Sequence, residues 1–284
     1  MSGSDLSLKL LQALSDRDQK TLRECANHKS VKLWIDKKLD VKDIRNAMFP
    51  LSNHHKDITC LCFASGYSNV RAVQQLVQAG ANVISHDSDW NTPLHWAVGS
   101  ETEAKQKVEY LLSCDASLVS AHNKFNNTPL FMAAGVGDDT SISVLLQHGA
   151  EVDERCWYGR TALHHASSEG HVACIDALMI HGADVEARDS QDKETPLHLA
   201  AEFNHPACVK VLLDKHNASI NAADYFGRTA LHKAADEGNL AVVKLLTSYS
   251  ECDVNAIDGN GATAADFARD EGYIDIALHL MAQL

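Results

Sequence analysis

Apolar positions along this chain fall into short helical patterns that come in pairs. The first member of a pair is rich in alanine, as at Ala133-Ala134, Ala200-Ala201 and Ala234-Ala235. Small side chains there let neighbouring helices stack closely. The second member carries bulkier residues at helical spacing, such as Val242, Leu245 and Leu246. A tetrapeptide of the form Thr-x-Leu-His opens the first member. It runs Thr59-Cys-Leu-Cys62, Thr92-Pro-Leu-His95, Thr128-Pro-Leu-Phe131, Thr161-Ala-Leu-His164, Thr195-Pro-Leu-His198, Thr229-Ala-Leu-His232 and a degenerate Thr263-Ala-Ala-Asp266.

Successive threonines stand 33, 36, 33, 34, 34 and 34 residues apart. Threonine can cap a helix, and proline is tolerated in its first turn. Gly137, Gly170, Gly238 and Gly272 each lie nine residues after a motif threonine, and Gly80, Gly149 and Gly182 lie 21 after. Gly182 suits a left-handed helix terminator. A unit of this size cannot bury its own apolar face, so the units must stack into one solenoid with their neighbours.

These motifs resemble the ankyrin repeat, whose period and T-P-L-H-x-A pattern they share. The resemblance covers residues 57–284, with motif starts at 59, 92, 128, 161, 195, 229 and 263. Gly-Ala-Asp-Val at 182–185 and Ala-Ser-Ile-Asn-Ala at 218–222 match the family's helix exit, and Asp-Tyr-Phe-Gly-Arg-Thr at 224–229 matches its β-turn. It implies an all-α solenoid of helix-turn-helix units with β-turn or hairpin fingers. It also implies that Thr92, His95, Thr161, His164, Thr195, His198, Thr229 and His232 are structural, the imidazoles linking backbone groups of adjacent repeats.

The pattern has departures. Cys62, Phe131 and Asp266 replace the motif histidine, Ser100–Ala104 is an insertion, and the glycine before the second helix is lost at Asn204-His205-Pro206. Residues 1–56 read as a degenerate N-terminal capping repeat (Leu10, Leu11, Ala13, Leu22) followed by a partly helical insertion carrying Trp34, Ile35, Leu39, Val41, Ile44 and Met48. The start at Met1 and the end close behind a helix fit a small complete protein and an ankyrin domain excised from a larger enzyme or channel equally.

The net charge of −13 disfavours nucleic-acid and membrane-surface partners, which require clustered cations. The charge is uneven: residues 1–56 hold 11 Lys+Arg against 7 Asp+Glu, and residues 57–284 hold 14 against 31. No signal-peptide core and no run of about 18 apolar residues is present. Eight scattered cysteines read as reduced thiols of a cytoplasmic or nuclear protein. Neither a phosphate loop, a nucleophile elbow nor H-E-x-x-H occurs. The sequence therefore predicts no catalysis, no metal and no cofactor.

In ankyrin-like folds, exposed positions lie four, three and one residues before the motif threonine, and seven and eight after it. Aromatic residues gather at the first set, namely Phe125, Trp157, Tyr158, Tyr225 and Phe226, with Arg160 and Arg228 beside them and Phe203 behind. Aromatic and arginine side chains are enriched at binding hot spots. The second set is an acidic line of Glu169, Glu202, Asp236, Glu237, Asp270 and Glu271. Together they predict a groove for a protein or peptide with apolar anchors and Lys/Arg residues, on a chain that is monomeric when free. The expected function is a non-catalytic scaffold, adaptor or inhibitor. A reader of basic or methyl-lysine peptides, caged by Trp157, Tyr158, Glu169 and Glu202, is the alternative. The resemblance also implies a modification site: repeat-end asparagines of this family can be hydroxylated, with a leucine eight residues upstream favoured, a spacing met by Leu213 and Asn221.

Overall fold

The computed structural model describes residues 58–283 and, ahead of them, Lys9, Gln12, Ala13, Lys20 and Thr21. The expected capping repeat and the helical insertion that follows it lie outside the described residues, apart from those five.

The described helices come in pairs, each pair led by a motif threonine. They are α1 Cys60–Tyr67 and α2 Val70–Gln78, α3 Pro93–Ala97 and α4 Ala104–Cys114, α5 Pro129–Val136 and α6 Asp139–Gln147. The series continues with α7 Ala162–Ser168 and α8 Val172–Ile180, α9 Pro196–Glu202 and α10 Pro206–Asp214, α11 Ala230–Asp236 and α12 Leu240–Leu246, and α13 Ala264–Asp270 and α14 Ile274–Met281. No strand occurs among the described residues. An isolated antiparallel bridge joins Ile257 to Thr263.

The chain divides into two compact units. One comprises residues up to 133 with 140–151, and the other comprises 134–139 with 152–284. In the first, α1 packs on α3 and α2 on α4. In the second, the inner helices α7, α9, α11 and α13 stack in sequence, and so do the outer helices α8, α10, α12 and α14. Ala166, Ala200, Ala201, Ala234, Ala235 and Ala268 are fully buried between the inner helices. Cys174, Ile175, Leu178, Cys208, Val209, Leu212, Val242, Val243 and Leu246 line the outer-helix side of that core. Burying each leucine or isoleucine contributes about 1.5–3 kcal/mol.

Each motif histidine joins two repeats. The backbone N–H of Thr161 donates to His164 Nδ1 at 3.2 Å, and the Thr161 hydroxyl lies 2.9 Å from the same nitrogen. That nitrogen is therefore unprotonated, and Nε2–H donates to the carbonyl of Glu194 at 3.0 Å in the next turn. His95 reaches Asn127 in the same way at 3.0 Å. His198 reaches Arg228 at 3.0 Å, and His232 reaches Ala262 at 3.2 Å. Burial holds His95 and His164 down at about 4, so these rings are neutral in neutral solution.

The three substitutes do this work differently. Burial pushes the Cys62 thiol up to about 12, so it stays protonated and points at the Asn91 carbonyl 3.6 Å away. Phe131 has no ring nitrogen to offer, and its backbone N–H donates to Thr128 Oγ1 at 3.2 Å. Asp266 Oδ2 accepts from the Thr263 N–H at 2.9 Å and its hydroxyl at 2.7 Å, while Oδ1 turns to Arg269 at 2.7 Å.

The glycine nine residues after the threonine answers two demands. Gly170 and Gly238 have φ of +82° and +74°, a left-handed conformation. A β-carbon on Gly170 would stand 2.6 Å from the His205 ring, and one on Gly238 would stand 2.6 Å from the Tyr273 ring. Those rings belong to the following repeat, and His205 Nε2 donates back to the Ser168 carbonyl at 2.9 Å. Where this glycine is lost, Asn204 adopts the left-handed conformation itself, with φ +59°.

Candidate protein-binding surface

The fingers are turns closed by a backbone bond. Asp224 N–H donates to the Arg228 carbonyl at 2.8 Å, and Asp258 N–H donates to Ala262 at 2.9 Å. A buried carboxylate organises the same turn: Asp224 Oδ1 accepts from Phe226 N–H at 2.8 Å and Arg228 N–H at 2.9 Å. Successive fingers are then bonded to each other. Ser190 N–H donates to the Tyr158 carbonyl at 2.9 Å, Tyr225 N–H to Asp192 at 2.6 Å, and Gly259 N–H to Phe226 at 2.7 Å. With the backbone of the finger row occupied in this way, the aromatic side chains project from it.

They are exposed. In the second unit Trp157 is 69% exposed, Tyr158 58%, Tyr225 73% and Phe226 47%. Tyr225 and Phe226 meet edge to face with ring centres 5.3 Å apart, and the Arg228 guanidinium stands 4.9 Å from the Phe226 ring centre. Phe203 is half exposed. In the first unit Phe125 is exposed under the Lys124 ammonium, 5.1 Å from its ring centre.

The two arginines beside the tips have partners within the chain. Arg160 sits 3.3 Å from both Asp189 Oδ2 and Glu194 Oε2. Arg228 sits 2.9 Å from Asp224 Oδ2. They brace the fingers from behind.

The acidic line is divided in the same way. Glu169, Glu237, Asp270 and Glu271 are exposed, and Asp236 is partly so. Glu202 is half-buried beside Lys233, whose ammonium stands 3.5 Å from Glu202 Oε2 and 4.0 Å from Asp224 Oδ2 and also contacts Glu194. Burial raises the Glu202 carboxyl and the Lys233 charge opposes that rise. Lys233 is itself 7% exposed, so this cluster lies beneath the surface. Lys233 lies four residues after Thr229, outside the exposed positions expected from the repeat pattern, so its sequence position gave no sign of this role.

Trp90 was also missed. It is 58% exposed at a finger tip, two residues before Thr92, the one tip position that the pattern skips. Asn221 is exposed, but its carboxamide is engaged: Nδ2 donates to the Glu251 carbonyl at 2.7 Å, and Oδ1 accepts from Asp253 N–H at 2.9 Å.

Among the described residues no group of three or more His, Cys, Asp or Glu side chains is placed to hold a metal ion. No described helix is long and apolar enough to cross a membrane.

Comparison with known proteins agrees with this geometry. A family model described as ankyrin repeats in three copies matches residues 101–189, 186–258 and 223–283. The chain is 29% identical over 182 residues to the phosphocholine transferase AnkX of Legionella pneumophila, which is 58% of this chain and 19% of that protein. It is 31% identical over 127 residues to a transient receptor potential cation channel subfamily A member 1 homolog of Caenorhabditis elegans, covering 44% of this chain and 10% of that one. It is 30% identical over 110 residues to the neurogenic locus notch homolog protein 1 of Homo sapiens, covering 39% of this chain and 4% of that one. The chain thus spans under a fifth of the length of each of these relatives. Because the family model takes in more than half of the chain, and because the helix pairs, fingers and histidine links repeat in its register, the chain belongs to the ankyrin-repeat family.

Proposed function

We propose that this chain is a non-catalytic protein-binding module that holds a partner against its fingers and the ends of its inner helices. Ankyrin repeats generally mediate protein–protein interaction, which supports the class. The observation that carries the finer reading is the exposure of Trp157, Tyr158, Tyr225 and Phe226 on fingers whose backbone is already bonded. Large aromatic rings left in water beside carboxylates favour a partner with apolar anchors and Lys/Arg residues. Glu169, Glu237, Asp270 and Glu271 supply the exposed negative charge.

The transferase name belongs to AnkX, and the match reaches only 19% of that protein. Scaffold, adaptor and inhibitor roles all fit the proposal. The thiols of Cys62, Cys114, Cys156, Cys174, Cys208 and Cys252 are free, which fits a cytoplasmic or nuclear setting.

The test uses a linear peptide selected on the wild-type chain from a random display library. Trp157→Ala and Tyr225→Ala should each abolish its binding while leaving the helical circular dichroism unchanged. Normal binding by both variants overturns the assignment. A methyl-lysine reader would instead require tighter binding of the methylated than of the unmodified form of a Lys peptide. Equal binding of the two forms removes that alternative.

A further inference from the structure

We propose that Trp90 is a partner-contacting anchor on the finger before α3, retained there against the preference of its own backbone. The inference rests on the reading that fingers carry the partner surface, and it adds a residue and a place.

Trp90 has φ +63°. In the fingers that follow, the position two before the motif threonine is also left-handed: Asn126 at +59°, Gly159 at +71°, Lys193 at +60°, Gly227 at +81° and Gly261 at +83°. Glycine meets that demand without steric cost, and asparagine is unusually tolerant of it. A bulky aromatic residue fits it poorly, because its β-carbon crowds the following carbonyl.

Burial does not compensate, since the side chain is 58% exposed. Its ring meets His86 at 6.0 Å between centres, tilted by 47°. The turn bond from Trp90 N–H to the Asp87 carbonyl, 3.1 Å, is one that any residue but proline would make. The indole therefore costs the turn conformational energy and returns little packing. Strain of this kind persists where the side chain serves something outside the fold.

The neighbouring finger says what would sit on it. Lys124 N–H donates to the Asp89 carbonyl at 2.9 Å, which fastens the two tips together. The Lys124 ammonium contacts the Asp89 carboxylate and lies over the exposed Phe125 ring. The positive charge beside the Phe125 ring disfavours a cation from the partner, and its pairing with Asp89 leaves little net charge to attract an anion. The exposed Trp90 ring, on a finger fastened to the one that carries Phe125, therefore fits an apolar side chain of a protein partner.

The test measures two quantities on Trp90→Asn, with Trp90→Gly as a second variant. The probe is a linear peptide display-selected on the wild-type chain whose binding is lost on Phe125→Ala, the exposed ring of the adjoining finger. Melting temperature should stay level or rise by a few degrees, because the turn is relieved. Affinity should fall at least tenfold, equivalent to about 1.4 kcal/mol. A melting temperature lowered by several degrees in both variants would make Trp90 a structural residue and overturn the proposal. Unchanged affinity would overturn it as well. If the Trp90 variants bind this probe normally while Phe125→Ala loses it, only the Trp90 assignment falls. If no finger variant alters binding, the reading of the fingers falls and this inference falls with it.

Discussion

Lys233 on α11 holds its ammonium 3.5 Å from Glu202 Oε2 on α9, so two successive inner helices share one buried cation. The same ammonium contacts Glu194 and faces Asp224. Asp224 is the residue that organises the Tyr225-Phe226 finger. One lysine thereby neutralises carboxylates from the inner helix and from the finger row.

Removing that charge should be costly. Lys233→Met removes the shared cation but leaves Glu194 beside Arg160 and Asp224 beside Arg228. The loss should therefore fall short of the ~3–5 kcal/mol of a fully broken buried pair and still exceed that of Glu202→Gln. Glu202 is partly solvated, so Glu202→Gln should cost less than about 1 kcal/mol. Urea unfolding of the two variants checks this. Equal losses would mean that the cluster is screened by water.

The motif histidines make stability depend on pH. Their folded values lie below the ordinary 6.5, at about 4 for His95 and His164, because burial disfavours the charged ring. The unfolded chain then binds more protons than the folded one between those values, so stability rises with pH there. The contribution is complete above about 6.5 and is lost as the pH falls toward 4. For a fully buried ring it is on the order of 3 kcal/mol. Melting temperatures should therefore drop through this window. His164→Gln, whose side chain can still close the capping box, should show a shallower drop. A profile flat from neutral to pH 4 would contradict the depressed values.

The left-handed positions before the outer helices should respond by residue type. Gly170→Ala meets both an unfavourable φ and the His205 ring 2.6 Å away, and should destabilise by about 2 kcal/mol or more. Asn204→Gly keeps the conformation available and should stay within about 0.5 kcal/mol. Guanidinium midpoints of both variants distinguish them; similar losses would show that the conformation at 204 is immaterial.

Salt should weaken partner binding. The exposed carboxylates Glu169, Glu237, Asp270 and Glu271 act through solvent, where the screening length is about 10 Å at 0.1 M ionic strength. Affinity for a Lys-rich selected peptide should fall steadily from 0.05 to 0.5 M salt, roughly severalfold. Glu237→Gln should flatten part of that slope, and an affinity independent of salt removes the acidic contribution. Lys233 decides why Glu202 belongs outside this test, since its charge is already answered from within.

The repeat, its register and its family were legible from residue types alone. Thr-x-Leu-His, the glycine nine residues on and the alanine pairs each meet a local backbone or packing demand, and local demands recur with the period. The role of the motif histidine came with the family resemblance that this regularity carries. Exposure of the aromatic tips was equally readable, because a turn leaves its tip side chains in water.

What the sequence could not allot was the choice of partner for each charge. Arg160 and Arg228 read as surface residues because they adjoin tips, yet their guanidiniums lie 3.3 Å and 2.9 Å from the carboxylates of Asp189 and Asp224. Glu202 belongs to the acidic line by spacing and to Lys233 by contact. Trp90 escaped because the rule of positions skips the residue two before the threonine, the place where the backbone turns left-handed. Register is set by interactions within a repeat. Ion pairing and burial are set between repeats, where residues about 30 positions apart come within a few ångströms only after the helices have stacked.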